Sequence, residues 1–322
     1  MDQVKKFSLK LFWFIFPMLV LAYPLDLFIS YNLKKLNDSE AEYEIWNDIY
    51  EGKANCEIAI YGSSRAKGQI NPKILEDSLH QSVYNFGIVA QFFDIQYLRH
   101  VEFLKYNHPP KIIIVSLDTF SLIKRKDLFL PEQFLPYLLF NREIAANAAD
   151  YHEFGKFDYF LPLVRYQGKP QSLTRAFENI PKSEKDILKR KYRGYNGLPN
   201  EWNEEIDKKS HKKETHEIIL FEPIVELFEK FIRECQDLNI EVVLVYSPEY
   251  IEYQQFLSNR KEIMEVYQNF SDKYHLLFLD YSNDELSYRK EYFFDSEHLN
   301  SSGADQFTAK LAAELKKYQT VK

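Results

Sequence analysis

Residues 56–65 read CEIAIYGSSR, and they are the strongest local indication of the fold expected for the chain. The apolar run 58–61 has the length of a short buried strand, and Gly62 and Ser63 end it in a turn. Ser64 follows directly, at the point where the chain enters its next segment. The stretch therefore predicts a buried strand, a tight turn, and a serine hydroxyl placed at that turn.

Further strands and helices alternate along the chain on either side of a long middle section. Apolar runs predict strands at 83–86, 112–115, 241–246 and 276–279. Helical spacing of apolar residues predicts helices at about 71–79, 92–106, 224–238, 260–274 and 302–318. Strands that are apolar throughout are typical of a parallel sheet covered on both faces, so we predict an α/β fold. Ligands of such sheets bind outside the carboxyl ends of the strands.

The middle section, from about 119 to 220, breaks this alternation and is expected to be an insertion of short helices and loops. It is rich in aromatic residues and carries basic clusters at 185–193 and 208–213. The aromatic residues fit a core, a lid or a sugar-stacking platform. The basic clusters fit solvated faces, or a surface that meets an anionic polymer or lipid headgroups.

The amino-terminal segment predicts a membrane anchor. Residues 11–25 read LFWFIFPMLVLAYPL without a charge, and the apolar character continues to Ile29, which gives about the 20 residues that cross a bilayer. Lysines at 5, 6 and 10 favour a cytoplasmic amino terminus, although lysines at 34 and 35 weaken the asymmetry. The alternative is a signal peptide cleaved after Ala22. We expect an uncleaved single-pass anchor at 1–36 and an extracytoplasmic domain at 37–322, in the periplasm or at the cell surface.

Composition excludes several classes of protein. The chain has 322 residues, of which 41 are basic and 48 acidic, and the net charge of −7 argues against a nucleic-acid binder. Hydrophobic residues at 45% exclude a disordered chain. Cys56 and Cys235 are too few for a disulfide framework or a cysteine-rich zinc site. We expect no metal and no cofactor.

A second chemical motif precedes the last predicted helix, where Asp295 stands three residues ahead of His298. An aspartate at this spacing can orient the imidazole through one ring nitrogen, and the other nitrogen is then free to deprotonate a serine. Each part also has a simpler interpretation. Ser64 fits a helix N-cap, and the Asp-His pair fits a cap beside a surface histidine or two ligands of a metal that lacks a third.

The two motifs together resemble the SGNH hydrolase family, also called GDSL-like esterases. Gly62-Ser63-Ser64 matches the family's nucleophile block, with Ser63 in place of the usual aspartate. Asn85-Phe86-Gly87 is similar to the second block, whose glycine (here Gly87) contributes an N–H group to the oxyanion hole. Asp295 and His298 match the final block, which continues here as Leu299-Asn300 with Gly303. The resemblance implies a flavodoxin-like three-layer sandwich with a five-stranded parallel sheet and a triad of Ser64, His298 and Asp295.

The third block departs from the family pattern. It is normally Gly-x-Asn-Asp, whereas residues 116–119 read SLDT, so the asparagine that completes the oxyanion hole is missing. A carboxylate at Asp118 would repel an oxyanion unless it were protonated or directed elsewhere. We expect Asp118 to bind substrate or to cap the next segment. Arg65 and Thr119 are candidates for the missing donor.

The arrangement of one anchor and one catalytic domain is also similar to membrane-anchored SGNH-like proteins of cell-envelope acylation systems. That resemblance implies an esterase or O-acyltransferase acting on acyl esters of an envelope glycan, or on a small ester, beside a multi-spanning acyltransferase partner. The alternative is a non-catalytic accessory protein that binds an envelope polymer or the membrane partner through the same cleft. A large separation between Ser64 and His298 would favour this alternative.

Overall fold

The computed structural model describes residues 2–35, 42–178, 191–204 and 217–321. The chain divides into two compact units, Met1–Asn47 with Arg125–Ser183 and Asp48–Lys124 with Glu184–Lys322. We call them the amino-terminal unit and the sheet unit. The basic cluster expected at 208–213 and most of the one at 185–193 lie outside the described residues. The domain bounds of 1–36 and 37–322 and the insertion bounds stay predictions.

The described helices and strands are as follows. The helices are α1 (Asp2–Lys34), α2 (Tyr43–Tyr50), α3 (Ser64–Gln69), α4 (Pro72–Leu79), α5 (Phe93–Tyr106), α6 (Arg142–Ala148), α7 (Pro170–Glu178), α8 (Glu222–Asp237), α9 (Arg260–Tyr274) and α10 (Ser301–Val321). The strands are β1 (Ile58–Tyr61), β2 (Val83–Asn85), β3 (Ile112–Leu117), β4 (Lys191–Tyr192), β5 (Tyr195–Asn196), β6 (Glu241–Tyr246) and β7 (Leu277–Asp280). The hairpin of β4 and β5, whose strands have two residues each, was not expected from the sequence.

The sheet unit contains a five-stranded parallel sheet in the order β2-β1-β3-β6-β7. Counted along the chain within this sheet, the order is 2-1-3-4-5, which is the flavodoxin-like arrangement. The predicted α/β class and its five parallel strands are confirmed. In this order β1 lies between β2 and β3, so the turns that follow these three strands meet at one edge of the sheet.

Helices cover both faces of the sheet because alternate strand residues point to opposite sides. Ile58 and Ile60 of β1 pack into an aliphatic cluster with residues of α3, α4 and α10, among them Leu311. Tyr61 points to the other face, where its ring contacts His100 of α5 and Phe231 of α8. The buried cluster on the α3, α4 and α10 side is therefore mostly aliphatic, whereas Tyr61 meets aromatic rings on the α5 and α8 side.

The amino-terminal unit holds α1 and the short helical segments of residues 125–178. Helix α1 is long and apolar enough to cross a membrane, as predicted for this segment. Near its end, Asp26 is buried and paired with Arg165 at 2.5 Å. Trp46 is also buried, and its indole N–H donates to the Gln133 side chain at 3.2 Å. These contacts join α1 and the chain around Trp46 to residues 125–178 within one unit.

Candidate active site

Helix α3 begins at the turn after β1 in a way that separates the roles of two adjacent serines. Ser63 is the N-cap, and its hydroxyl accepts a hydrogen bond from the Arg65 N–H at 3.2 Å. Ser64 is the first helical residue, and its N–H is one of those at a helix start that have no partner within the helix. Because Ser63 supplies the cap, the Ser64 hydroxyl is available for another contact.

Gly62 makes this turn sterically feasible. Its φ is 150°, a conformation that residues with a side chain rarely adopt. A Cβ atom at Gly62 would lie 2.7 Å from the Ser116 carbonyl oxygen and 2.7 Å from the Ala66 methyl group. Only glycine allows β1, β3 and the start of α3 to approach this closely.

Ser64, His298 and Asp295 form a chain of hydrogen bonds. Ser64 Oγ lies 2.8 Å from His298 Nε2. On the other side of the ring, His298 Nδ1 lies 2.9 Å from Asp295 Oδ1 and 3.0 Å from Oδ2. With Nδ1 protonated toward the carboxylate, Nε2 carries the lone pair that faces the serine hydroxyl. The structure thus brings together three residues from segments more than two hundred positions apart.

The loop around Asp295 holds its carboxylate in position for the contact with His298. Asp295 Oδ1 accepts hydrogen bonds from the N–H groups of Glu297 at 2.9 Å and of His298 at 2.8 Å. Burial opposes ionisation of Asp295, but these hydrogen bonds and His298 outweigh it and lower the pKa of the carboxyl. Burial likewise works against the protonated ring of His298, yet Asp295 outweighs it and raises the pKa of His298. The pair therefore stabilises the imidazolium that forms when His298 accepts a proton.

Gly87 lies beside α3 as the block resemblance implies, but its N–H is engaged. It donates to Asn85 Oδ1 at 2.9 Å. The Asn85 amide in turn donates to the carbonyl oxygens of Ala66 at 2.7 Å and Ile70 at 2.9 Å. Asn85 thus links the turn after β2 to helix α3. An oxyanion would have to compete with Asn85 for the Gly87 N–H, which the resemblance assigns to the oxyanion hole.

Asp118 does not face an oxyanion as an unpaired carboxylate. It is buried, and Arg65 Nη1 donates to its Oδ1 at 3.1 Å. Burial raises the pKa of Asp118 more than the Arg65 charge lowers it. The backbone of Asp118 is held as well, since the Tyr267 hydroxyl donates to its carbonyl oxygen at 2.7 Å. The carboxylate that replaces the expected asparagine is the partner of a buried arginine.

Both Nη groups of Arg65, the first candidate for the missing oxyanion donor, have partners in this internal network. Its Nη2 donates to the Ser247 carbonyl oxygen, and its guanidinium lies 4.8 Å from the centre of the Tyr246 ring. Glu249 Oε2 lies 3.6 Å from Arg65 Nη1. Thr119, the other candidate donor, lies in the turn after β3 and is half-buried.

The sequence did not predict the position of Glu249, which follows β6 and belongs to the same internal network. It is buried and accepts hydrogen bonds from the Tyr246 hydroxyl at 2.9 Å and from Arg260 at 2.9 Å. Sequence reasoning also missed the bridging contacts of Asn85. Their positions were the available signal, because Asn85 ends β2 and Glu249 follows β6 at the sheet edge that carries the site.

Metal and thiol chemistry have little support in the described residues. Across these residues no group of three or more His, Cys, Asp or Glu side chains is placed to hold a metal ion. Both cysteines are buried free thiols. Burial raises the pKa of Cys56 to about 12 and raises that of Cys235 as well, so neither is a reactive thiolate.

Comparison with known proteins adds similarities to solved structures only. No family model and no curated protein matches the chain. The chain is similar to an acetyl xylan esterase, with 12% identity over 81% of this chain and 98% of the other and a TM-score of 0.40. It is also similar to a GDSL-like lipase from Bacteroides thetaiotaomicron, with 10% identity over 84% and 98% and a TM-score of 0.37. Both alignments are too distant to indicate an activity, so the function proposed below depends on the geometry of the site.

Proposed function

We propose that this protein is a serine esterase or O-acyltransferase of the SGNH type. The observation that carries the proposal is the hydrogen-bonded chain from Ser64 through His298 to Asp295, with 2.8 Å between Ser64 Oγ and His298 Nε2. This distance is within the reach that a nucleophile and its general base need. A large separation between these two side chains would have favoured the accessory-protein alternative, so the observed distance favours the enzyme.

The residues act in the following order in the proposed reaction. His298 Nε2 takes the proton of Ser64 Oγ while the oxygen attacks the ester carbonyl carbon. The tetrahedral intermediate collapses, and His298 returns the proton to the departing alcohol. Asp295 holds the ring and stabilises its protonated form throughout. The acyl group on Ser64 then passes to water in an esterase, or to a sugar hydroxyl in an acyltransferase, with His298 again as the base.

The oxyanion hole of this proposal has one clear donor, the Ser64 N–H at the start of α3. The Gly87 N–H contributes only if an oxyanion displaces Asn85 Oδ1 as its acceptor. Loss of one oxyanion donor typically costs about 100–1000-fold in turnover. We therefore expect a modest turnover number on small esters.

The proposed substrates are acyl esters of a cell-envelope glycan or a related carbohydrate. We infer that α1 is an uncleaved anchor in the cytoplasmic membrane, with the sheet unit on the extracytoplasmic side. The helix has the length and apolar character of a membrane span, and lysines at 5, 6 and 10 precede its apolar run. A multi-spanning acyltransferase is the membrane partner that this placement and the family resemblance suggest. Hydrolysis and transfer use the same triad, so the acceptor decides between them.

A fluorophosphonate probe tests the proposal, because it traps a serine that a neighbouring base activates. We expect the full-length protein to be labelled at Ser64 and to hydrolyse a chromogenic acetyl ester. Ser64→Ala and His298→Ala should abolish both, with kcat reduced about 1000-fold or more. Ser302→Ala, at an exposed serine in the first turn of α10, should behave like the unchanged protein. Ester hydrolysis that survives in Ser64→Ala would refute the assignment, as would labelling at another residue.

A further inference from the structure

The segment 125–178 of the amino-terminal unit exposes several phenylalanine side chains. Phe157, Phe160 and Phe177 are 60%, 58% and 58% exposed, and Phe129 and Phe140 are also exposed. Single exposed apolar residues are ordinary on protein surfaces, but a group of large aromatic rings indicates a surface that meets something apolar.

Two of these rings lie against helix α1 at the end of its apolar run. The Phe140 ring centre is 6.0 Å from that of Tyr23, and the Phe177 ring centre is 5.7 Å from that of Phe28. Tyr23 and Phe28 are themselves exposed. In a helix that spans a bilayer, aromatic residues at this position lie at the boundary between hydrocarbon and headgroups. The contacts place Phe140 and Phe177 at the same level.

Asp26 is the first charged residue after the uncharged run 11–25, and it lies between Tyr23 and Phe28 along α1. Asp26 does not face outward, because Arg165 Nη1 and Nη2 both donate to its carboxylate and the Leu163 N–H donates to its Oδ2 at 2.7 Å. The chain at Leu163 is thus held against α1 where the apolar run ends. Phe160 precedes Leu163 by three residues, so it lies within roughly 10 Å of that point.

The charge of residues 125–178 favours apolar insertion over electrostatic attachment. Residues 125–178 contain seven basic and seven acidic side chains, so they carry no excess charge toward anionic lipids. An apolar groove of about 510 Å³ lies between α1 and residues 136–140, lined among others by Leu27, Tyr31 and Phe140. Both features fit a partner that is recognised by its apolar character.

We propose that the amino-terminal unit rests on the bilayer, with Phe140, Phe160 and Phe177 inserted into the lipid beside α1. This inference rests on the membrane-spanning role proposed above for α1, and it does not depend on the proposed hydrolase activity. The partner is the lipid surface itself. The rings of Phe140 and Phe177 contact α1, which enters the membrane in this proposal. The lipid around α1 is therefore the apolar phase nearest to them.

Lipid-borne quenchers test this insertion in the full-length protein. Single cysteines are introduced as Phe160→Cys and Phe177→Cys, labelled with an environment-sensitive fluorophore, and reconstituted in vesicles of phosphatidylcholine and phosphatidylglycerol. Both native cysteines are buried and leave the introduced thiol as the reactive one. Leu21→Cys, 73% exposed on α1, is the control for the membrane span. Ile219→Cys, 81% exposed in the sheet unit, is the control for an apolar residue without the predicted insertion.

We expect nitroxides near the headgroups to quench the labels at 160 and 177 at least about threefold more than the label at 219, because interfacial insertion reaches ~5–10 Å below the surface. The quenching should persist when salt rises from about 0.05 to 0.5 M, since screening weakens only charge-driven attachment. Labels at 160 and 177 that match the label at 219, while the label at 21 is quenched, would overturn the insertion and leave the anchor standing. An unquenched label at 21 would overturn both. If the labels at 160 and 177 were shielded from water but not quenched by lipid, and the protein had the mass of a dimer, the proposal would be overturned. The rings would then contact a second copy of the chain.

Discussion

Ser63 and Ser64 are neighbours in sequence, and their hydroxyls have different partners. Ser63 caps α3, while Ser64 contacts His298. At the same scale, Asp118 and Arg65 neutralise each other inside the sheet unit. The role of each of these side chains follows from its hydrogen-bond or ion-pair partner more than from its residue type.

The Asp295→Asn substitution tests the orientation of His298. In the amide, one of the two oxygens that face Nδ1 becomes an NH2 donor, which favours the ring tautomer with its proton on Nε2. We therefore expect kcat to fall about 10⁴-fold with the fold intact. Asp295 raises the pKa of His298, and the base works only when neutral. Without Asp295 this pKa falls, so the acid limb of the kcat/KM profile should move to lower pH. A pH-rate profile measures both effects.

Glu297→Gln is the matched control for this variant. Glu297 contacts Asp295 through its backbone N–H, which the substitution keeps. It should retain most of the activity with only a small shift of the acid limb. If Asp295→Asn left the acid limb unmoved, the proposed role of Asp295 would be wrong.

Asp118→Ala tests the buried ion pair at residue scale. It leaves the Arg65 guanidinium buried, with Glu249 at 3.6 Å as the remaining carboxylate. Breaking a buried pair in this way costs about 3–5 kcal/mol, so the denaturant midpoint should fall clearly. The control is Glu265→Gln, which removes an ion pair whose side chains are 87% and 61% exposed. It should leave the midpoint unchanged, because exposed pairs contribute little. Equal midpoints for Asp118→Ala and the unchanged protein would contradict the account of this pair.

At the scale of elements, the position of Ser64 depends on how α3 packs against the turns after β2 and β3. Gly62 allows the close approach to β3, and Gly87 allows the close approach to α3. Asn85 and Arg65 then hold the helix from two sides. The nucleophile is therefore placed by a helix of six residues that has little stability of its own.

The Gly87→Ala substitution tests this packing. A Cβ atom there would lie 2.6 Å from the Lys67 backbone nitrogen and 2.9 Å from Asn85 Oδ1, so α3 must shift. We expect a loss of about 1–3 kcal/mol in the free energy of unfolding, together with a reduced kcat. Gly68→Ala, in the same helix, meets no atom closer than 3.6 Å. It should stabilise the protein by up to about 1 kcal/mol, because alanine favours helix. Denaturant unfolding and ester hydrolysis of both variants give the comparison, and equal behaviour of the two would contradict the packing argument.

At the scale of the whole molecule, the fate of helix α1 decides where the protein works. The helix runs from Asp2 to Lys34 without a break, and its later part belongs to the amino-terminal unit through Asp26. The uncleaved anchor proposed above would keep the protein in the membrane. We expect the expressed protein to stay in the membrane pellet after an alkaline carbonate wash, with its amino terminus intact by mass spectrometry.

Ala22→Leu distinguishes the anchor from a signal peptide. Signal peptidase needs a small residue at its cleavage site, so the larger side chain blocks cleavage there. An anchor predicts the same mass for the variant and the unchanged protein, apart from the substituted side chain. An unchanged protein that starts at Tyr23, beside a full-length variant, would show that the segment is a signal peptide.

Local order was largely predictable from the sequence. The bounds predicted for β1, β6 and α9 agree with the structure, because apolar runs and helical spacing depend on residues close together in the chain. The serine, aspartate and histidine were selected from their positions beside these elements, and the structure brings them within hydrogen-bond distance of one another. Each follows a strand or precedes a helix at the edge of a parallel sheet where ligands bind.

Only the tertiary structure decided which polar groups pair. Arg65 reaches Asp118, 53 residues away, and the Ser247 carbonyl oxygen, 182 residues away, because the sheet order places the ends of β1, β3 and β6 side by side. The Gly87 N–H was predicted to contribute to the oxyanion hole, and in the structure it donates to Asn85 Oδ1. Periodicity in a sequence reports burial and local conformation, whereas the partner of a buried polar group depends on which distant strands become neighbours.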